Sequence, residues 1–536
     1  MKDFVLLLCL ALGLAACTGM KEKPDAHAGM NMGSDDVSVF QKPIDYIPAA
    51  LGPHTWVITT NSDMAQNYFK QGLQMRYAYG VNDAARSFRQ ARLIDPDCAM
   101  CYWGEAFALG SFLNGGMSQQ KAPYAHDAIE KAVKLSGNAT ELERDLIMAA
   151  RDRYPADYDP DDRRPVDEGF AERMKVVYEK YPDHQDVAVV YAVSLFLLEE
   201  RLGHRDIEDP DLIHLHSVLR GVLAENNKHP GACHLYIHAT ESSQRPDLAL
   251  ECADFLGAAI PVASHIQHMP SHTWNEVGYW GKSVRANMAA THSDLKATKN
   301  QGFSYGPTHN LHMLLFAASM DGQGAVATQA GKDYAKLSNN SMYQVLTLLR
   351  FGRFDEIPQV TSRPEGKVPG GYWDFAQGYA AVRNGDPGLA NEYLAKVQAL
   401  TENQSAKFRF HKISQLMGLS AAILEGEILL QAGDLNGAIA AFQRAAELDD
   451  QQPYDEPEPI PYAARHWLGA ALMEAQRYAE AEQEYRTELA DHPHNVWSLH
   501  GLKAALAAQG SSDAMVDADF ETSTARMDVW ITESRF

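Results

Sequence analysis

The chain has 536 residues, more than one compact hydrophobic core supports, so it is either several domains or one quasi-linear array of repeats. Hydrophobic residues make up 46% of it, which excludes wholesale disorder. A formal net charge of −23 with no long basic run excludes a nucleic-acid partner and a basic patch for acidic lipid, and leaves an acidic, solvated surface.

The N-terminus reads as an export signal. Met1-Lys2 supplies a positive charge, and Phe4 to Leu14 is an apolar run too short to span a bilayer. Leu14-Ala15-Ala16-Cys17 resembles a bacterial lipobox. The resemblance implies that residues 1–17 are a lipoprotein signal and that Cys17 carries the lipid. An ordinary signal peptide with a chance cysteine is the alternative. Thr18 in place of an aspartate then implies the outer membrane, on the periplasmic side. No second spanning segment is read, so the lipid is the only membrane contact expected. Residues 18–55 read as a flexible tether. His27, Met30 and Met32 within it are soft ligands suited to copper, or accidents of a tether.

From Ser62 onward, apolar and small residues recur at three- and four-residue steps, with Pro or Gly at the breaks. No segment alternates with period two, so almost no sheet is expected. Tyr68, Gly72, Met75, Ala84, Phe88, Ala91 and Pro96 stand at the spacing of the tetratricopeptide repeat (TPR). Gly426, Leu429, Ala438, Phe442 and Ala445 keep it, as do Leu468, Gly469, Leu472, Ala481, Tyr485 and Pro493. Small residues let two helices approach, larger ones fill the gap, and proline stops the second helix. The chain therefore resembles the TPR family. The resemblance implies an all-α solenoid of helical hairpins, wound as a right-handed superhelix, whose groove commonly takes a protein or peptide.

The predicted organisation follows the register. Residues 56–165 form N-terminal repeats, 166–330 central repeats, 331–415 irregular repeats, 416–510 C-terminal repeats and 511–536 a loosely attached tail. Asp157 to Pro165 reads as a surface loop without the pattern of a calcium site. Gly352 to Tyr372 and the Pro- and acid-rich Gln451 to Pro461 interrupt the repeats.

The central repeats carry the chemistry. Seven histidines lie in three short helical runs: His234, His238 with Glu241; His265, His268, His272; and His309, His312. Steps of three and four put each set on one helix face. His234 to His268 and His238 to His272 are both 34 residues apart, the TPR period. The resemblance implies that these positions face the groove, on three successive first helices about 8–10 Å apart. Imidazole and carboxylate suit a transition metal, zinc or copper, and seven rings exceed the need of one tetrahedral ion. Asn275 would add a hydrogen bond at the edge of the wall. The alternatives are a polar wall that holds a peptide end or an anion, and plain packing.

The segment from His229 to Glu241, with His268-Met-Pro-Ser-His272, resembles a histidine-rich subgroup of bacterial TPR proteins without a settled role. Cys98 and Cys101 form a CxxC without the strand–helix context of a redox motif. Cys233 and Cys252 fall on the two helices of one hairpin and could bridge. Trp103, Trp274, Trp280 and Trp373 read as core. No phosphate loop, HExxH or nucleophile elbow occurs. Three functions follow: a lipid-anchored extracytoplasmic TPR protein holding metal in its groove; a metal-free protein- or peptide-binding scaffold; and a metal-dependent oxidase or hydrolase.

Overall fold

The computed structural model describes residues 36–199, 204–402 and 405–536. Cys17, His27, Met30 and Met32 lie outside the described residues. From Val37–Gln41 to Ala514–Thr524 the described chain is α-helical, apart from short 3-10 turns and one antiparallel pair, Lys407–Phe408 with His411–Lys412. The fold is an all-α, TPR-like solenoid of helical hairpins.

The hairpins close where the small residues predict. The helices Asp63–Tyr77 and Val81–Ile94 pack with the Phe88 ring against Gly72, and the same ring meets Gly104 on the next helix, Ala99–Leu109. Tyr485 repeats the device between Gly469 and Gly501, and Phe442 packs against Gly426. One aromatic ring thus spaces its own hairpin and the following one, and a side chain at either glycine would collide with it. Between Ile413–Gln431 and Leu435–Asp449 the chain turns at Gly433 with φ 81°, a left-handed conformation natural to glycine. Asp434 then caps the next helix through the Gly437 N–H.

Two hydrophobic cores result, one built from residues between Phe40 and Phe303 and the other between Trp280 and Ile531. A third, small cluster of Tyr79, Val81, Phe112 and Tyr305 lies over the histidine helices. The solenoid also folds back on itself. The Trp280 indole donates to the Pro493 carbonyl at 2.8 Å, and the Trp497 indole to that of Ser319 at 2.8 Å. On the N-terminal side, Tyr77 packs against Gly231.

Two expectations change, and one apolar helix calls for comment. The tail is held firmly: Arg526 pairs with buried Asp321 at 2.7 Å, Ser534 hydrogen-bonds Tyr485 at 2.9 Å, and Arg535 pairs with Glu427 at 2.9 Å. Its polar and charged side chains find buried partners in distant hairpins, 49 residues away for Ser534 and 205 for Arg526, which no local pattern reveals. The interruption after Gly352 is shorter than read, because helix resumes at Lys367–Arg383 with Pro369 in the first turn, where its missing N–H costs nothing. And Ile413–Gln431 is long and apolar enough to cross a membrane, but 67% of its apolar window is buried in the second core, as in a core helix.

Replacing Gly469 with alanine should destabilise the protein by about 1–3 kcal/mol through overpacking against Tyr485. Denaturant unfolding of G469A is the measurement, with Gly385→Ala not a fair control because its φ is 80°.

Candidate metal centre

Four helices position the site. Pro230–Thr240 carries His234 and His238, and Glu241 caps its end. Ser264–His268 and Pro270–Glu276 carry His265, His268 and His272. Pro307–Met320 carries His309 and His312. Proline at the start of three of them suits the first turn, where no N–H is needed. Pro270 interrupts the hydrogen-bond ladder of the second run, yet Met269 keeps helical angles (φ −50°, ψ −38°). His268 and His272 therefore stay on one face, with ring centroids 4.6 Å apart. The Cys233–Cys252 disulfide ties the first helix to Leu250–Leu256, and Cys98 bonds Cys101 within a buried turn.

Side chains from the three repeats meet in two groups. In His234, His238 and His265 one ring nitrogen of each lies within 4.8 Å of the others, and the same holds for His268, His272 and His309. The groups adjoin, with His265 and His268 rings 5.5 Å apart and His238 and His272 rings 5.7 Å apart. All six rings are buried, at most 7% exposed. His312 stands apart: its Nε2 meets the Glu458 carbonyl at 3.2 Å and its ring stacks on Tyr343.

The outer nitrogens fix the tautomers. His234 Nδ1 donates to the Tyr77 carbonyl at 2.5 Å. His268 Nδ1 donates to Asn287 Oδ1 at 3.1 Å, and Asn287 Nδ2 donates to the Ser283 carbonyl at 3.0 Å. Glu241 places one oxygen 2.9 Å from His238 Nδ1 and the other 2.8 Å from His272 Nδ1. Each of these four rings thus turns its Nε2 inward. His234 and His265 bring their Nε2 atoms to 3.1 Å, and His268 and His272 to 2.8 Å.

Burial pushes His234, His265, His268 and His309 well below the ordinary imidazole range, and the neighbouring histidines push them further. They are neutral. The first pair can be satisfied by a proton on His265 Nε2, leaving its Nδ1 without a partner among the described residues. The second pair meets a conflict. With Nδ1–H of His268 on Asn287, the 2.8 Å contact between the Nε2 atoms is a hydrogen bond only when His272 carries its proton on Nε2, and that tautomer turns the His272 Nδ1 lone pair toward Glu241 Oε2, 2.8 Å away. A cation between the rings relieves the conflict. Two imidazoles on one tetrahedral ion stand about 3.3 Å apart, close to what is found.

Several contributors were not read from the sequence. Glu456, from the insertion after Gln451, comes within 3.7 Å of His272 and forms a third possible ligand group with Glu241 and His272. The acid-rich run was visible, but its destination was not. Tyr79 lies against His234, with centroids 4.3 Å apart, and is held at φ 55°, a costly conformation for a bulky residue. Tyr305, from the segment between Ala297 and Pro307, packs 4.5 Å from His265. Both insertions fill the groove over the wall. Trp103 and Trp280 are core as expected, Trp373 donates to the Val360 carbonyl at 3.0 Å, and Trp274 sits partly exposed beneath Lys282.

A further cluster, His54, Asp186 and His229, has the spacing of a ligand set. Its protons argue otherwise. His229 Nδ1 accepts the Ala232 N–H at 3.2 Å, so the neutral ring carries its proton on Nε2, 3.4 Å from Asp186. Asp186 also faces His54 Nε2 at 3.0 Å and accepts from Tyr77 OH at 2.6 Å. Burial raises the Asp186 carboxyl, but the His229 and His54 hydrogen bonds outweigh it and hold it well below the carboxylate range. The cluster pins Tyr77, whose carbonyl orients His234. Asp186→Asn should lower stability by about 2 kcal/mol while leaving bound metal unchanged, read by denaturant unfolding and metal analysis on one sample.

No protein-family model matches the sequence, and no curated protein matches it. Solved structures similar to this chain, at low resemblance, include a TPR domain. The P58(IPK) TPR domain is 11% identical, covering 83% of this chain and 98% of its own, with a TM-score of 0.23. Yeast Tom70 is 12% identical over 87% of this chain and 92% of its own, with a TM-score of 0.27. The Cut9 and Hcn1 assembly gives 13%, 86%, 90% and 0.29. At such scores these likenesses carry no functional argument, and the fold stands on the hairpins described above.

Proposed function

We propose that this chain is a lipid-anchored, extracytoplasmic TPR-type protein that holds a dinuclear transition-metal centre inside its solenoid. His234, His238 and His265 would hold one ion, and His268, His272 and His309 the other. Glu241, placed by the sequence among the ligands, would orient His238 and His272 together and so link the two halves. The observation that carries the reading is that six buried imidazoles from three repeats meet in two groups, the ring nitrogens within each lying within 4.8 Å of one another and the His268 and His272 Nε2 atoms at 2.8 Å. Nitrogen-only sets of this kind suit zinc or copper. Three ligands leave a fourth position on each ion, the arrangement of reactive rather than structural sites.

The scaffold reading finds less support at this wall. The six rings are at most 7% exposed beneath two insertions, so a peptide partner would dock on another face of the solenoid. Export is supported by the two disulfides and by the lipobox-like Leu14 to Cys17.

Full-length protein purified without chelator should carry about two metal ions per chain, His238→Ala about one, His272→Ala about one, and the double variant almost none. Plasma mass spectrometry reads this directly, and wild-type protein with far less than one ion per chain would end the proposal. For the anchor, the N-terminal peptide of protein extracted from membranes should begin at Cys17 and bear acyl mass; a peptide that starts elsewhere without lipid would refute it.

A further inference from the structure

Beside the histidine wall, the insertion Gln451 to Pro461 encloses a cavity of about 150 Å³. Buried His272 and Asn275 line its inner side, and the exposed side chains of His204, Asp450 and Asp491 mark its rim. A cavity of that volume suits a molecule of about six heavy atoms.

The charges facing it do not cancel. Arg465 is engaged by Asp450 and Glu484. His492 lies 3.0 Å from Glu458 and 2.8 Å from Glu488, and these carboxylates raise its ring well above the usual range against the opposing effect of burial. Asp455 is paired with Arg409 and His411. Both cationic side chains that line the cavity are therefore occupied. Glu276 has no hydrogen bond or ion pair among the described residues, and burial beside Glu458 lifts its carboxyl well above the normal range. Asn275 is independent evidence. It is 7% exposed, and its Oδ1 has no hydrogen-bond partner among the described residues. A buried carbonyl left so costs about 1–3 kcal/mol unless a donor arrives.

The remaining walls are apolar and aromatic: Trp280, Met313, Phe316 and Tyr454. A bare metal ion gains nothing from such walls. An organic cation gains from aromatic faces, from buried hydrocarbon and from the two acceptors at once.

We propose that this cavity binds a small primary ammonium ion, its N–H groups on Asn275 and Glu276 and its hydrocarbon chain against Trp280 and Phe316. Because His272 borders both places, the ammonium ion would sit at the edge of the metal centre; that relation rests on the metal reading, whereas the binding itself does not.

Calorimetric titration of the full chain with n-pentylammonium chloride and with 1-pentanol tests it, on metal-loaded and on chelator-treated samples. The ammonium ion should bind one per chain and the neutral alcohol at least about tenfold more weakly. Glu276→Gln and Asn275→Leu should each weaken the ammonium ion about tenfold, and Glu276→Gln should do so with metal content unchanged. Equal binding of the alcohol, no effect of either variant in a sample whose circular dichroism is native, or heat with calcium chloride but none with pentylammonium would overturn the proposal. The alcohol comparison uses unaltered protein, so it decides even if a variant misfolds. Metal analysis of the same samples separates the two readings: ammonium binding by protein that never holds metal keeps the cavity proposal and removes the other.

Discussion

Six imidazoles, withdrawn from water and packed against one another, impose the strictest demand in this molecule. A buried nitrogen without a donor or a cation is costly, and two of them in contact repel. Much of the surrounding architecture serves that arrangement. The Tyr77 carbonyl, Asn287 and Glu241 hold the outer nitrogens, so the inner ones have no freedom to turn away. The Asp186 cluster holds Tyr77, and the Cys233–Cys252 bond braces the first histidine helix.

Such a centre can form only because the helices come close. On the first histidine helix, Gly231 has no side chain and the Tyr77 ring packs directly against it. Side chains from three repeats then reach one another across the groove. The same stacking would normally leave that groove open. Here Tyr305 and Glu456, on two insertions, close it, and the tail ties the C-terminal hairpins to Pro307–Met320 through Arg526 and Asp321. A surface that repeat proteins usually offer to partners has become an interior.

That interior is uneven in charge. Around the rings the carboxylates are few and engaged. A short distance away, beyond His272, they are many, and Glu276 and Asn275 keep unused acceptors beside aromatic walls. The neutral wall offers nitrogen donors, and the acidic cavity offers oxygen acceptors beside aromatic rings. His272 belongs to both.

By itself the sequence determined the hairpin fold, because close helix packing demands small and large residues at set positions in every repeat. It also determined the histidine wall, because a period of 34 residues brings equivalent positions into line. Within the wall it could not separate His312, which shares the helix of His309 but turns to Tyr343 and the Glu458 carbonyl. Nor could it separate the clustered rings from Glu241, whose two oxygens reach for ring nitrogens instead. Tertiary structure alone decided the partners brought from afar: Tyr79, Asp186, Tyr305, Glu456 and the closing tail. Helical periodicity reports which face a residue occupies. Where an insertion or a terminus ends up depends on contacts across hundreds of residues, and those leave no period to read.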